Sequence, residues 1–172
     1  MPMRTIIIFL MACLCLPSMA GQPRDFRLDS LGVSRYRLCL GADAWPIDFP
    51  VYRFETGDVN GDGSIDAIVG VIKSTRFDPV VRRRVFMFKN YKGHVRALWL
   101  GSRMGNPIAD FHFHASSGML RVMEHEADGT YLVADYRWQS FGMQFVRYVV
   151  RHVPLSQAEV VLHGDGHDEA SR

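Results

Sequence analysis

Residues 52–72 read Tyr-Arg-Phe-Glu-Thr-Gly-Asp-Val-Asn-Gly-Asp-Gly-Ser-Ile-Asp-Ala-Ile-Val-Gly-Val-Ile, and the change of pattern inside them sets the fold class. Tyr52-Arg53-Phe54-Glu55 alternates apolar and polar side chains, the period-two signature of a half-buried strand. Residues 65–72 are rich in β-branched and small apolar residues, with Asp66 the single charge among them. That run predicts a second, mostly buried strand. Between the two, Asp, Asn and Gly crowd into a tight polar loop, where such residues favour turns.

The loop is more than a turn in its spacing. In Asp58-Val59-Asn60-Gly61-Asp62-Gly63-Ser64-Ile65-Asp66, side-chain oxygens fall at positions 1, 3, 5 and 9, and Ser64 at position 7 offers a backbone carbonyl. Ca²⁺ takes six to eight oxygens in a flexible cage, and alternate positions of a tightly curled loop present them inward. Gly63 at position 6 supplies the positive φ that such a loop requires. The expected ligands are therefore Asp58, Asn60, Asp62, Ser64 and Asp66. An EF-hand is excluded, because its position 12 is a bidentate Glu and here it is Val69 within an apolar run.

Residues 54–70, from Phe54 through Gly57-Asp58 to Asp66 and Gly70, resemble an FG-GAP/VCBS-type repeat. In that family a similar loop joins two strands of a propeller blade. The resemblance implies the same five metal ligands and a structural ion. The chain carries one such loop where repeat propellers carry several.

Outward from this unit the chain continues as short strands separated by turn signals. Residues 84–89 and 94–100 flank the turn Asn90-Tyr91-Lys92-Gly93. After a Gly/Asn/Pro-rich connection at 101–107, strands are expected at 110–114, 120–125, 131–138 and 143–153. The expectation is an all-β fold of two antiparallel four-stranded sheets, or two propeller-blade-like units. It is not a closed propeller, since rings take 4–8 blades. Residues 22–50 read less sharply: 29–40 as one strand or a pair, and Trp45-Pro46 as loop.

The N-terminus has the pattern of a leader. Arg4 precedes an apolar run at 5–16, Pro17 breaks it, and Ser18-Met19-Ala20 forms a small-x-small cleavage signature before Gly21. The run is too short to span a bilayer, which needs roughly 20 residues. The expected organisation is a signal peptide at 1–20, a calcium-binding β-domain at 21–160 and a disordered tail at 161–172. That makes the protein exported, periplasmic or extracellular, with no transmembrane segment in the mature chain. Leu10-Met11-Ala12-Cys13 loosely resembles a lipobox, so a lipid-anchored envelope protein is the alternative. With cleavage after Ala20, Cys13 and Cys15 leave and Cys39 is the one thiol of the mature chain, which excludes an intramolecular disulfide framework.

Composition narrows the function classes. Apolar and charged fractions of 48% and 22% are those of an ordinary globular protein. The formal charge of +2 falls by one when Arg4 is removed, far from the basic footprint of a nucleic-acid binder. Other candidates are local. Arg76, Arg82, Arg83 and Arg84 are expected in a connection between strands, where they could contact an anion or acidic ligand. His112 and His114 lie i, i+2 on one strand face, near Glu124 and Glu126 in sequence, as a metal site could use. His163, Asp165, His167 and Asp168 read as a solvated tail. Trp45, Trp99 and Trp138 could form a sugar-stacking platform or fill the core. There is no Gly-x-Ser-x-Gly elbow, no His-Glu-x-x-His and no phosphate-cradling Gly-rich loop. The pair Asp110 and Glu124 has no fixed catalytic spacing. The sequence therefore predicts a binding or interaction module for an exported protein or glycan, with a secreted hydrolase of carbohydrate or protein as the alternative.

Overall fold

The computed structural model describes residues 25–76, 78–101 and 104–164. The expected leader, with Cys13 and Cys15, lies outside the described residues, as do 165–172 of the expected tail. Eleven strands and one helix follow in chain order: β1 Phe26–Gly32, β2 Arg35–Leu40, β3 Asp43–Ile47, β4 Val51–Gly57, β5 Asp66–Thr75, β6 Asp78–Tyr91, β7 His94–Leu100, β8 Ile108–His114, β9 Met119–His125, β10 Tyr131–Gln139, β11 Gly142–Val153 and α1 Leu155–His163. They form three antiparallel sheets: β1-β2-β3, β4-β5-β6-β7 and β11-β10-β9-β8. The two expected four-stranded sheets are present, and neither closes into a ring.

The layering follows from alternation along β5 and β6. Ala67, Val69, Val71, Phe86 and Phe88 point to one side and pack against Phe26, Leu38, Leu40 and Ile47 of the N-terminal sheet. Ile68, Val85 and Met87 point the other way, onto Phe111, Leu120, Val122 and Leu132 of the C-terminal sheet. The central sheet is therefore covered on both faces, so β5 reads as continuous rather than alternating apolar residues. Helix α1 forms a fourth layer, burying Ala158 and Leu162 on Met123, Val133 and Val153.

Three details depart from the sequence expectation. First, residues 26–47 form a complete three-stranded sheet, and Trp45-Pro46 belongs to β3 rather than to a loop. β3 is an edge strand, and at an edge a Pro without an N–H is tolerated on the unpaired side. Second, β6 runs from Asp78, so Arg82, Arg83 and Arg84 lie within a strand, not in a connection. Third, the tail expected from 161 is helical as far as His163, and Leu162 is fully buried. This helix has no side-chain N-cap. Its C-terminal carbonyls are instead satisfied from the sheet: Arg121 donates to Val161 and Gly164, and His114 to Leu162. Among the described residues no helix is long and apolar enough to cross a membrane.

The seam between the central and C-terminal sheets is closed by charge as well as packing. Arg53 on β4 donates twice to Asp110 on β8. Glu55 accepts from the Phe113 backbone N–H at 2.7 Å and meets His112 Nδ1 at 3.1 Å. Gly57, at the end of β4, has no room for a side chain, because a Cβ there would sit 2.2 Å from the Phe113 ring.

Candidate metal loop and neighbouring sites

Gly57 and Asp66 pair across β4 and β5, so the intervening loop is clamped at both ends by the ladder. Val59 turns inward and is buried in the core between the central and C-terminal sheets, anchoring the loop from below. Gly61 and Gly63 have φ of 73° and 82°, the left-handed conformation expected of glycine at those positions. The backbone thereby turns its N–H groups onto the loop's own side chains. Asp58 accepts from Gly61, Asp62 and Gly63 at 2.8, 3.0 and 2.9 Å. Asn60 Oδ1 accepts from the Asp62 N–H, and Asp62 Oδ1 from the Ser64 N–H, both at 2.9 Å. The Asn60 amide donates to the other Asp62 oxygen at 2.9 Å, and this bond holds Asp62 below the ordinary carboxylate range.

Asp66 is the exception. It is fully buried at the first position of β5, where Oδ2 accepts from the Val59 N–H at 3.2 Å. Oδ1 is buried with no hydrogen-bond partner by strict geometry, although the Asn60 as well as the Val59 backbone N–H favours the charged carboxylate. Asp78 Oδ2 also lacks a hydrogen bond by strict geometry, but Arg84 and Arg82 lie 3.0 and 3.4 Å from it. Asp66 has no such cation beside it among the described residues. Burial, with the nearby charges of Asp62 and Asp58, pushes its carboxyl up to about 7. A buried carboxylate with an open oxygen and two negative neighbours is costly unless a positive charge joins it.

The five expected ligands come from one loop, with Asp66 buried at its end and Asp58, Asn60 and Asp62 accepting from the loop's own N–H groups. The carboxylates of Asp58, Asp62 and Asp66 are not mutually within 4.8 Å. Ligands on opposite sides of calcium need not be either, since two Ca–O bonds in line span roughly 4.6–5.2 Å. The donor set, all oxygen and mostly carboxylate, fits a hard divalent cation.

A second cluster was not visible in the sequence. Glu126, Asp128 and His152 offer ligand atoms within 4.8 Å of one another. Their oxygens are already engaged: Arg151 donates to Glu126 at 2.7 Å and the Thr130 hydroxyl to Asp128 at 2.5 Å. Thr130 holds Asp128 at about 2. His152 lies on β11, 24 residues beyond Asp128 in the β9–β10 turn, so no local spacing announces the cluster.

The remaining candidates separate. His112 and His114 do share a face, with ring centroids 4.7 Å apart, but the face looks toward α1. Nε2 of His114 sits 2.9 Å from the Leu162 carbonyl, a contact that places the proton on that nitrogen, and burial keeps His114 below the usual imidazole value. The arginines do not converge on one point. Arg82 and Arg84 face Asp78, and Arg84 also donates to three backbone carbonyls. Arg83 donates to the Ala109 carbonyl and lies over the Tyr52 ring. Arg76 lies at the rim of a cavity of about 750 Å³ between the N-terminal and central sheets. Trp45 and Trp99 line this cavity with Lys73, whose ammonium sits 4.0 Å from the Phe49 ring centroid. Trp138, like Trp99, packs against the core between the central and C-terminal sheets. Asp110 and Glu124 serve different partners, Arg53 and Tyr136 respectively. Cys39 is buried and donates to Asp29, and burial raises its thiol pKa. Compared with family models, curated proteins and solved structures, the chain matches none.

Proposed function

We propose that this chain is an exported β-domain stiffened by one calcium ion in the 58–66 loop and that it serves as a binding or interaction module. The observation that carries the metal reading is Asp66, fully buried with one oxygen unpartnered beside two further carboxylates. Asp58, Asn60, Asp62 and Asp66 would hold the ion through side-chain oxygens and Ser64 through its carbonyl. Its two positive charges would offset most of the loop's three negative ones and lock the β4–β5 turn. The loop's resemblance to an FG-GAP/VCBS-type repeat supports the same assignment, here on stacked sheets rather than a ring.

Export rests on the leader pattern at 1–20. The module reading is supported by two concave, aromatic-lined surfaces, the cavity holding Trp45 and Trp99 and a second one at the edge of the C-terminal sheet. An exported protein or a glycan is the class of partner such surfaces suit.

The test is a calcium titration of the chain from Gly21 beside its Asp62→Ala variant. Asp62 is exposed, so its loss spares the core. Loss of most of the calcium affinity is expected; an unchanged dissociation constant would contradict the ligand assignment.

A further inference from the structure

β7 and β11 are the free edges of the central and C-terminal sheets, opposite the β4 and β8 edges that close the seam. Between them lies a cavity of about 500 Å³, within the range of small-ligand sites. Its floor is Glu124 on β9, 1% exposed. Glu124 Oε1 accepts from the Tyr136 hydroxyl at 2.6 Å. Oε2 accepts from the Asn106 backbone N–H at 2.7 Å and its side-chain amide at 3.2 Å. All these donors are neutral. Among the described residues no Lys, Arg or His is paired with Glu124, whose described partners are all uncharged. Elsewhere in the same sheet the buried Asp135 has two arginines, Arg121 and Arg147.

The walls above Glu124 are aromatic. Tyr136 and Phe145 meet edge to face at 5.9 Å, and Phe145 and Tyr148 lie tilted at 4.8 Å. Phe145 and Tyr148 are about half exposed, and Phe141 at the rim is 88% exposed. Rings left in solvent around a concavity mark a binding surface. Their electron-rich faces attract cations, and Arg151, itself tied to Glu126, already lies over Tyr148 at 4.6 Å. Gly105 keeps the approach to the carboxylate open, since a Cβ there would stand 3.2 Å from Glu124 Oε2.

We infer that this pocket binds an organic cation, an ammonium group bearing apolar substituents, with its charge on Glu124 and its substituents on Tyr136, Phe145 and Tyr148. The inference rests on the binding-module reading and names the group that module recognises; it does not depend on calcium. Buried carboxylates attract the charge, and ring faces favour an alkylated ammonium over a small hydrated ion.

The experiment is calorimetric titration of the mature chain with choline and with its uncharged carbon isostere, dimethylbutanol. Saturable choline binding, at least about tenfold tighter than the isostere, is expected, with Glu124→Gln removing that preference. Near-UV circular dichroism verifies the fold of the variant. Should Glu124→Gln not fold, the surface variants Phe145→Ser and Tyr148→Ser carry the test, each expected to weaken choline at least about threefold. Equal affinity for the two probes, no saturable choline binding, or folded variants that bind choline unchanged would each overturn the inference. Calcium is titrated in the same samples. Calcium binding without choline binding defeats this inference alone, and choline binding without calcium defeats the metal reading alone.

Discussion

Replacing Asp66 by Asn separates a metal ligand from a structural hydrogen-bond acceptor, because the two roles predict opposite outcomes. Asn retains a carbonyl oxygen for the Val59 N–H, now 3.2 Å from Asp66 Oδ2. It removes the negative charge whose second oxygen is buried without a partner. Leaving a buried polar group unsatisfied costs about 1–3 kcal/mol, and more when it is charged. In EDTA, Asp66→Asn should therefore melt at or above the wild-type temperature. With calcium at about 100 times its dissociation constant, linkage stabilises the wild type by about 2.7 kcal/mol. For a domain of this size 1 kcal/mol moves the melting temperature by about 2–4 °C, so the wild type should rise by roughly 8 °C. The variant should rise little. Scanning calorimetry of both proteins, with calcium and with EDTA, gives all four values. A variant that melts well below wild type in EDTA, or that gains as much from calcium, would refute the reasoning.

Other consequences are structural. Gly57→Ala places a Cβ against the Phe113 ring and should cost about 1–3 kcal/mol in denaturant unfolding, part of it recovered by a second change, Phe113→Leu. His114 is held below its ordinary value near 6.5, chiefly by burial, so the folded state binds fewer protons than the unfolded state around that value. Its contribution is thus present above about pH 6.5 and lost as pH falls, and the effect should flatten in His114→Gln, followed by melting temperature against pH. Arg121 bridges Asp135 at 2.8 Å and the α1 carbonyls of Val161 and Gly164. Because Arg147 still faces Asp135, Arg121→Met should destabilise by about 1–3 kcal/mol, with the amides of α1 losing protection from hydrogen exchange first.

The legible parts of this molecule were those written locally. Turn residues and alternation located the eight strands of the central and C-terminal sheets. The apolar run of β5 indicated a mostly buried strand, but not that a further sheet covers its second face. That layer, the N-terminal sheet, was obscured because Arg27, Arg35, Arg37 and Pro46 interrupt strands whose buried residues are few. Helix α1 was missed because two side chains, Ala158 and Leu162, hold it down, and its C-terminal carbonyls are met by His114 and Arg121 from other elements. Candidate loop ligands could be named because calcium chemistry would dictate spacing along one short segment. The incomplete coordination of Asp66 could not, since it depends on tertiary burial. Glu124 and its rings come from β9, β10 and β11 with no fixed interval, and only the folded chain assembles them.

The central claim is that one calcium ion completes the 58–66 loop. Its most direct test is an equilibrium calcium titration of the chain from Gly21, read by heat release and by melting temperature with and without EDTA. One site per chain and a melting temperature that climbs with free calcium are expected. No heat of binding, together with a melting temperature indifferent to EDTA, would contradict it and leave the loop as a turn held only by its own hydrogen bonds.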